Sequence, residues 1–156
     1  MKTVIHRLVL LSSLSLSSVS LAAGGSGGMF ESGSQDPDYT AGEAAIKAKN
    51  WPQAIASMTQ VAQREPDNAD AENWLGYAYR KSGDLPNAFR HYERALAINP
   101  GHRGAHEYLG EAYLQAGDLA NAERQLAALD KLCWLPCEAY RELKEKIADF
   151  RKSKVQ

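Results

Sequence analysis

The stretch from Ala69 to His102, ADAENWLGYAYRKSGDLPNAFRHYERALAINPGH, decides the fold, because it holds two apolar runs at helical spacing and the punctuation between them. Trp74, Leu75, Ala78 and Tyr79 form one run, and Phe89, Tyr92, Ala95, Leu96 and Ile98 form the other. Intervals of three and four place each set on one side of a helix. Gly83 suits the left-handed residue that ends the first helix, and Pro86 suits the first turn of the second, where a missing N–H is harmless. Pro100 then stops the second helix.

The same pattern recurs on both sides of this stretch. Lys49-Asn50-Trp51-Pro52-Gln53-Ala54, Gly83-Asp84-Leu85-Pro86-Asn87-Ala88 and Gly117-Asp118-Leu119-Ala120-Asn121-Ala122 are spaced by 34 residues. Gly42, Gly76 and Gly110 share that spacing. With glycine at ~7% of residues, three at one repeat position arise by chance about three times in ten thousand. The repeat therefore reflects structure. Gly42 with Ala54, Gly76 with Ala88 and Gly110 with Ala122 read as places where the two helix backbones of a hairpin approach closely.

Residues 35 to 136 resemble the tetratricopeptide-repeat (TPR) family. The middle repeat, 69 to 102, meets the family pattern at Leu75, Gly76, Tyr79, Ala88, Tyr92, Ala95 and Pro100, and departs from it at Glu72. The third, 103 to 136, keeps Leu109, Gly110, Tyr113 and Ala122, with Leu126, Leu129 and Trp134 at less usual places. The first, 35 to 68, keeps Gly42, Ala54 and Pro66. The resemblance implies an all-α fold, an α-α superhelix of three helix-turn-helix units. After Pro136, Tyr140, Leu143, Ile147 and Phe150 share one face of a run from Cys137 to Arg151 whose other positions are charged. This reads as an amphipathic helix capping the solenoid, with residues 137–156 forming the cap and tail.

The resemblance also implies ligand-facing positions on the first helix of each repeat. They include Tyr39 and Glu43, then Asn73, Tyr77 and Arg80, then Glu107 and Glu111. Tyr39 and Glu43 stand where the family's carboxylate-clamping grooves carry Lys and Asn, so a clamp of that kind is not expected. Tyr39 and Tyr77 read as contact anchors, and the acidic side chains favour a basic or amphipathic segment of a protein or peptide.

At the other end of the chain, Lys2, His6 and Arg7 precede an apolar stretch from Leu8 to Leu21 and the small-residue sequence Ser20-Leu21-Ala22-Ala23. This reads as a signal peptide over 1–22, cleaved after Ala22 or Ala23, that delivers the chain to the periplasm. Six serines interrupt the stretch, which is shorter than the ~20 apolar residues of a membrane span, so no stable membrane anchor is expected. Residues 23–37, rich in Gly and Ser, read as a flexible linker. Without Lys2 and Arg7 the chain has 16 basic and 19 acidic residues, the wrong balance for a nucleic-acid partner.

Two readings stand for Cys133 and Cys137, which close the sequence Cys133-Trp134-Leu135-Pro136-Cys137. Export favours a disulfide that staples cap to solenoid, contributing about 2 kcal/mol through the chain entropy of so short a loop. The alternative is thiol-redox or copper handling, since two soft sulfurs can hold Cu(I), and the Cys-x-x-x-Cys spacing resembles that of copper-delivery proteins. His102 and His106 are four apart without a third ligand nearby in sequence, and read as surface residues. No activated nucleophile, phosphate-cradling glycine loop or acid–base carboxylate pair is present. The chain is expected to be no enzyme, to need no cofactor or metal, and to act as a scaffold or assembly factor.

Overall fold

The computed structural model describes residues 36–155. The signal reading for 1–22 and the linker up to Gln35 lie outside the described residues. Within them the chain forms α1 (Pro37–Lys47), α2 (Trp51–Arg64), α3 (Ala69–Ser82), α4 (Leu85–Ile98), α5 (Arg103–Gln115), α6 (Leu119–Leu132) and α7 (Glu138–Val155). Helices α1 and α2, α3 and α4, and α5 and α6 pair as hairpins, and each second helix also packs on the first helix of the next unit. The result is the all-α superhelix that the spacing implies. Pro37, assigned above to the linker, is the first residue of α1, with Asp36 as its N-cap.

Side-chain caps set the repeat length. Asn50, Asp84 and Asp118, spaced by 34, each accept a hydrogen bond from the backbone N–H three residues on, at Gln53, Asn87 and Asn121. Asn68 and His102, also 34 apart, do the same for Ala71 and Ala105 at the start of α3 and α5. Each such cap is worth about 1 kcal/mol and fixes where the helix begins. Pro52 and Pro86 lie in the first turns of α2 and α4. Gly83 and Gly117 adopt φ of +92° and +82°, and Lys49 occupies the corresponding place in the first unit at +57°.

The packing of the glycines differs from the expected backbone-to-backbone approach. A Cβ on Gly42 would lie 2.7 Å from Cε of Met58, and one on Gly76 would lie 2.6 Å from the ring of Tyr92. The glycine is a socket for a large side chain of the paired helix, while Ala54, Ala88 and Ala122 are fully buried nearby in the hairpins. In the third unit Leu126 stands at the position of Met58 and Tyr92, and the side chain nearest Gly110 comes from elsewhere. It is Leu143 of α7, whose Cδ2 would lie 2.5 Å from the added Cβ.

Helix α7 thus completes the third unit and runs four residues beyond the expected end at Arg151. Its Ala139 and Leu143 continue the 34-residue register of Ala71 and Ala105 and of Leu75 and Leu109, all of them buried. It occupies the place of a fourth first helix, with Ala139, Leu143 and Ile147 packed in one cluster with Leu114, Ala122 and Leu129. The sulfurs of Cys133 and Cys137 are at bonding distance, 2.09 Å, across the turn from α6 to α7. Between them Trp134 and Leu135 project outward, 97% and 73% exposed.

Because the socket at Gly76 is filled by an aromatic ring, Gly76→Ala should destabilise the fold by roughly 1–3 kcal/mol despite alanine's better helix propensity. Urea unfolding followed by circular dichroism measures it, and a midpoint at or above that of the parent protein would refute the packing argument.

Candidate functional site

The first helices α3 and α5, with the start of α2, bring a cluster of aromatic rings together. Tyr77 is its centre, with Tyr108 at 5.0 Å, Trp74 at 5.8 Å and Trp51 at 6.2 Å between ring centroids. All four rings are half-buried, so each keeps solvent-facing surface. Trp74 and Tyr108 are themselves 34 residues apart, at the same place on successive first helices.

Arg80 organises this floor from below. Its guanidinium carbon is 5.4 Å from the Tyr77 centroid and 5.8 Å from that of Tyr108, within cation–π range. Its Nη1 pairs with Glu111 Oε2 at 2.8 Å, and its Nε donates to the Tyr92 hydroxyl at 3.3 Å. With Arg80 only 7% exposed, this pair is a positioning element that ties α3 to α5. Burial raises the Tyr108 phenol to about 12, helped by the neighbouring carboxylate of Glu107, so it stays a neutral donor at physiological pH.

Toward α7 the floor runs into a cleft of about 470 Å³ lined by Arg103, Glu107, Tyr108, Cys137, Glu138, Ala139 and Glu142. Glu107 is pushed up to about 7, first by burial and then by the charges of Glu111, Glu142 and Glu138. An acid poised there favours a positively charged side chain, whose arrival would expel the proton and relieve the repulsion.

Of the residues expected at the site, Tyr77 and Glu107 are at its surface. Glu43 is partly exposed on α1. Glu111 and Arg80 are engaged with each other rather than open to a partner. Tyr39 is not a surface anchor: it is 7% exposed in the core with Met58, Val61 and Leu75, and its hydroxyl accepts the Trp74 indole N–H at 3.1 Å. Asn73 is 4% exposed, and its Oδ1 has no hydrogen-bond partner within the structure. Trp51, Trp74 and Tyr108 were absent from the expected set, although the 34-residue recurrence of an aromatic at 74 and 108 was a readable signal.

His102 and His106 are structural. His102 Nδ1 accepts the Ala105 N–H, which places the ring proton on Nε2, 2.9 Å from Asp70 Oδ1. His106 bridges to Gln125 and to the Pro100 carbonyl. No group of three or more His, Cys, Asp or Glu able to hold a metal occurs among the described residues. Joined to one another, the sulfurs of Cys133 and Cys137 offer neither a nucleophile nor a soft metal ligand in this state.

Two sequence families described as tetratricopeptide repeat match residues 39–103 and 79–132. No curated protein matches the chain in sequence. Among solved structures, the TPR2B domain of yeast Sti1 in its pHsp70 complex is similar at a TM-score of 0.68 and 20% identity, covering 74% of this chain and 94% of that one. The translocator chaperone SycD of Yersinia enterocolitica is similar at 0.69 and 17% identity, covering 85% and 98%. The second TPR domain of human RPAP3, in complex with an HSP70 peptide, is similar at 0.64 and 19% identity, covering 71% and 92%. The TM-scores establish a shared fold, and at these identities the likeness is one of fold alone.

The raised Glu107 carboxyl binds its proton more tightly in the folded chain than in the unfolded one. The stability contributed by this carboxyl is therefore fully present below about pH 4.5 and is lost as pH rises through about 7. Glu107→Gln should raise the melting midpoint at about pH 8 and change it little at about pH 4. Melting curves across that range test this, and an equal shift at both ends would mean the side chain matters for shape and not for charge.

Proposed function

We propose that this chain, a tetratricopeptide-repeat protein, holds a polypeptide segment of a partner against the aromatic floor of Tyr77, Tyr108, Trp74 and Trp51. The observation that carries the reading is that floor itself. Four large rings are clustered, braced by a buried arginine, and left half open to solvent. Aromatic side chains lose little rotamer freedom on contact and dominate binding energy where they are pre-positioned. A cleft with a poised carboxylate at Glu107 adjoins them, which suits a segment with apolar side chains and a flanking Lys or Arg. That domains of similar fold in Sti1 and RPAP3 are in complex with pHsp70 and an HSP70 peptide supports the mode of binding, while the side chains here point to a different ligand.

Export to the periplasm is part of the proposal. It is supported by the signal-like pattern from Lys2 to Ala23 and by a cysteine pair at bonding distance, which persists in an oxidising compartment. There the chain acts as a scaffold or assembly factor without chemistry of its own.

Selection of a displayed random peptide library on the purified protein tests the site. Selected peptides should be enriched in apolar and basic residues, and Tyr77→Ala or Tyr108→Ala should weaken them about tenfold or more at unchanged helicity. Weakening by Trp134→Ala instead, with the floor variants neutral, would move the site to the disulfide loop. For export, mass spectrometry of the protein made in a Gram-negative host should find a chain beginning at Ala23 or Gly24. An uncleaved chain in the cytoplasm would refute that part.

A further inference from the structure

The inference rests on the groove reading above and concerns the opposite edge of the aromatic floor. The left-handed position between the helices of a unit is glycine in the second and third units, Gly83 and Gly117, but Lys49 in the first, at φ +57°. A side chain there costs free energy that glycine avoids. Such a cost invites the question of what the side chain does.

Lys49 lies two residues before Trp51, whose ring is 6.2 Å from that of Tyr77, and so stands at the edge of the floor where positive charge is concentrated. Lys81 Nζ stands 5.3 Å from the Tyr77 centroid. Its pKa is lowered by desolvation and by repulsion from Arg80, Lys146 and Lys49. Glu111 pulls the other way but is paired with Arg80 at 2.8 Å. Among the described residues, none of Lys49, Lys81 and Lys146 forms a salt bridge. Next to the Arg80–Glu111 pair a hollow of about 280 Å³ opens between α3, α5 and α7, lined by that pair, Leu114, Gln115, Lys146 and Phe150. Cations that repel one another next to an apolar wall are complemented by a carboxylate next to an apolar side chain.

We propose that Lys49, Lys81 and Lys146 form a subsite for the carboxylate of an Asp or Glu in the bound segment, whose neighbouring apolar side chain enters the hollow at Leu114 and Phe150. The segment then carries charge of both signs, a cation toward Glu107 and an anion toward Lys81. The unfavourable conformation of Lys49 is retained because it supplies one of the three charges.

Fluorescence anisotropy with three labelled model peptides tests this. The first is a short amidated peptide alternating Leu or Phe with Glu, the second replaces Glu by Gln, and the third is the Gln peptide with a free terminal carboxylate. The Glu peptide should bind about tenfold more tightly than the amidated Gln peptide and weaken several-fold between about 50 and 200 mM salt. Lys49→Gly should weaken the Glu peptide about fivefold while raising the thermal midpoint by roughly 2–4 °C, because strain is relieved. That opposite movement of affinity and stability is what a merely structural lysine would not produce. An unchanged affinity in Lys49→Gly, or equal binding of the two amidated peptides, overturns the subsite. If only the free-terminus peptide binds and depends on Lys49, the side-chain assignment is overturned in favour of a chain terminus. Loss of the Glu peptide in Tyr77→Ala but not in Lys49→Gly would leave the groove standing and remove this inference alone.

Discussion

Everything in this solenoid depends on a gap one side chain wide in each first helix. At Gly42 and Gly76 the missing Cβ lets Met58 or Tyr92 of the paired helix reach across the hairpin. That contact sets how closely the two helices lie, and so how the next pair stacks. Capping side chains at 34-residue intervals then start each second helix at the same phase. Packing and capping thus agree on one repeat length, the kind of consistency between local and global preference that specifies a single fold. The third unit shows the constraint most clearly. Its own second helix carries Leu126 in place of the aromatic, and the Gly110 socket meets Leu143 from α7, which makes the capping helix part of the last repeat's core.

The electrostatics follow from that stack. First helices held side by side bring Arg80 and Glu111 into register across adjacent units, where they neutralise each other beneath the aromatic rings. What remains uncompensated is sorted to opposite edges. Glu107, Glu138 and Glu142 gather with Arg103 at the cleft where α5 meets α7, whereas Lys81 faces the Tyr77 ring and Lys146 lines the hollow next to Arg80. The proposed segment, laid against a floor that is apolar in the middle and oppositely charged along its margins, has one favoured orientation, since laid in backwards it would face like charges on both sides.

The fold was legible because its signals are local and periodic: Gly83 and Pro86 punctuate one hairpin, and the 34-residue recurrence repeats them. Even α7 was written in the same register, through Ala139 and Leu143, though its charged outer face made it look like a plain cap. The site was legible only where a position alone decides exposure, as for Tyr77. Tyr39 was misplaced because its burial depends on Trp74, 35 residues away, whose indole its hydroxyl receives. Glu111 read as an open acid because its partner Arg80 lies on another helix. The glycine–alanine pairs were read as backbone contacts because spacing reveals where a small residue is required, and not which distant side chain fills the space.

The three tryptophans divide in a way that has an optical consequence. Trp51 and Trp74 belong to the aromatic floor, whereas Trp134 stands 97% exposed on the disulfide loop. Indole emission shifts with the polarity around the ring, so the chain carries two spectroscopically different populations of one chromophore. A water-soluble quencher will extinguish the loop tryptophan preferentially, and the light that survives comes mostly from the floor. The protein is therefore its own reporter, needing no label for occupancy of the groove to be seen.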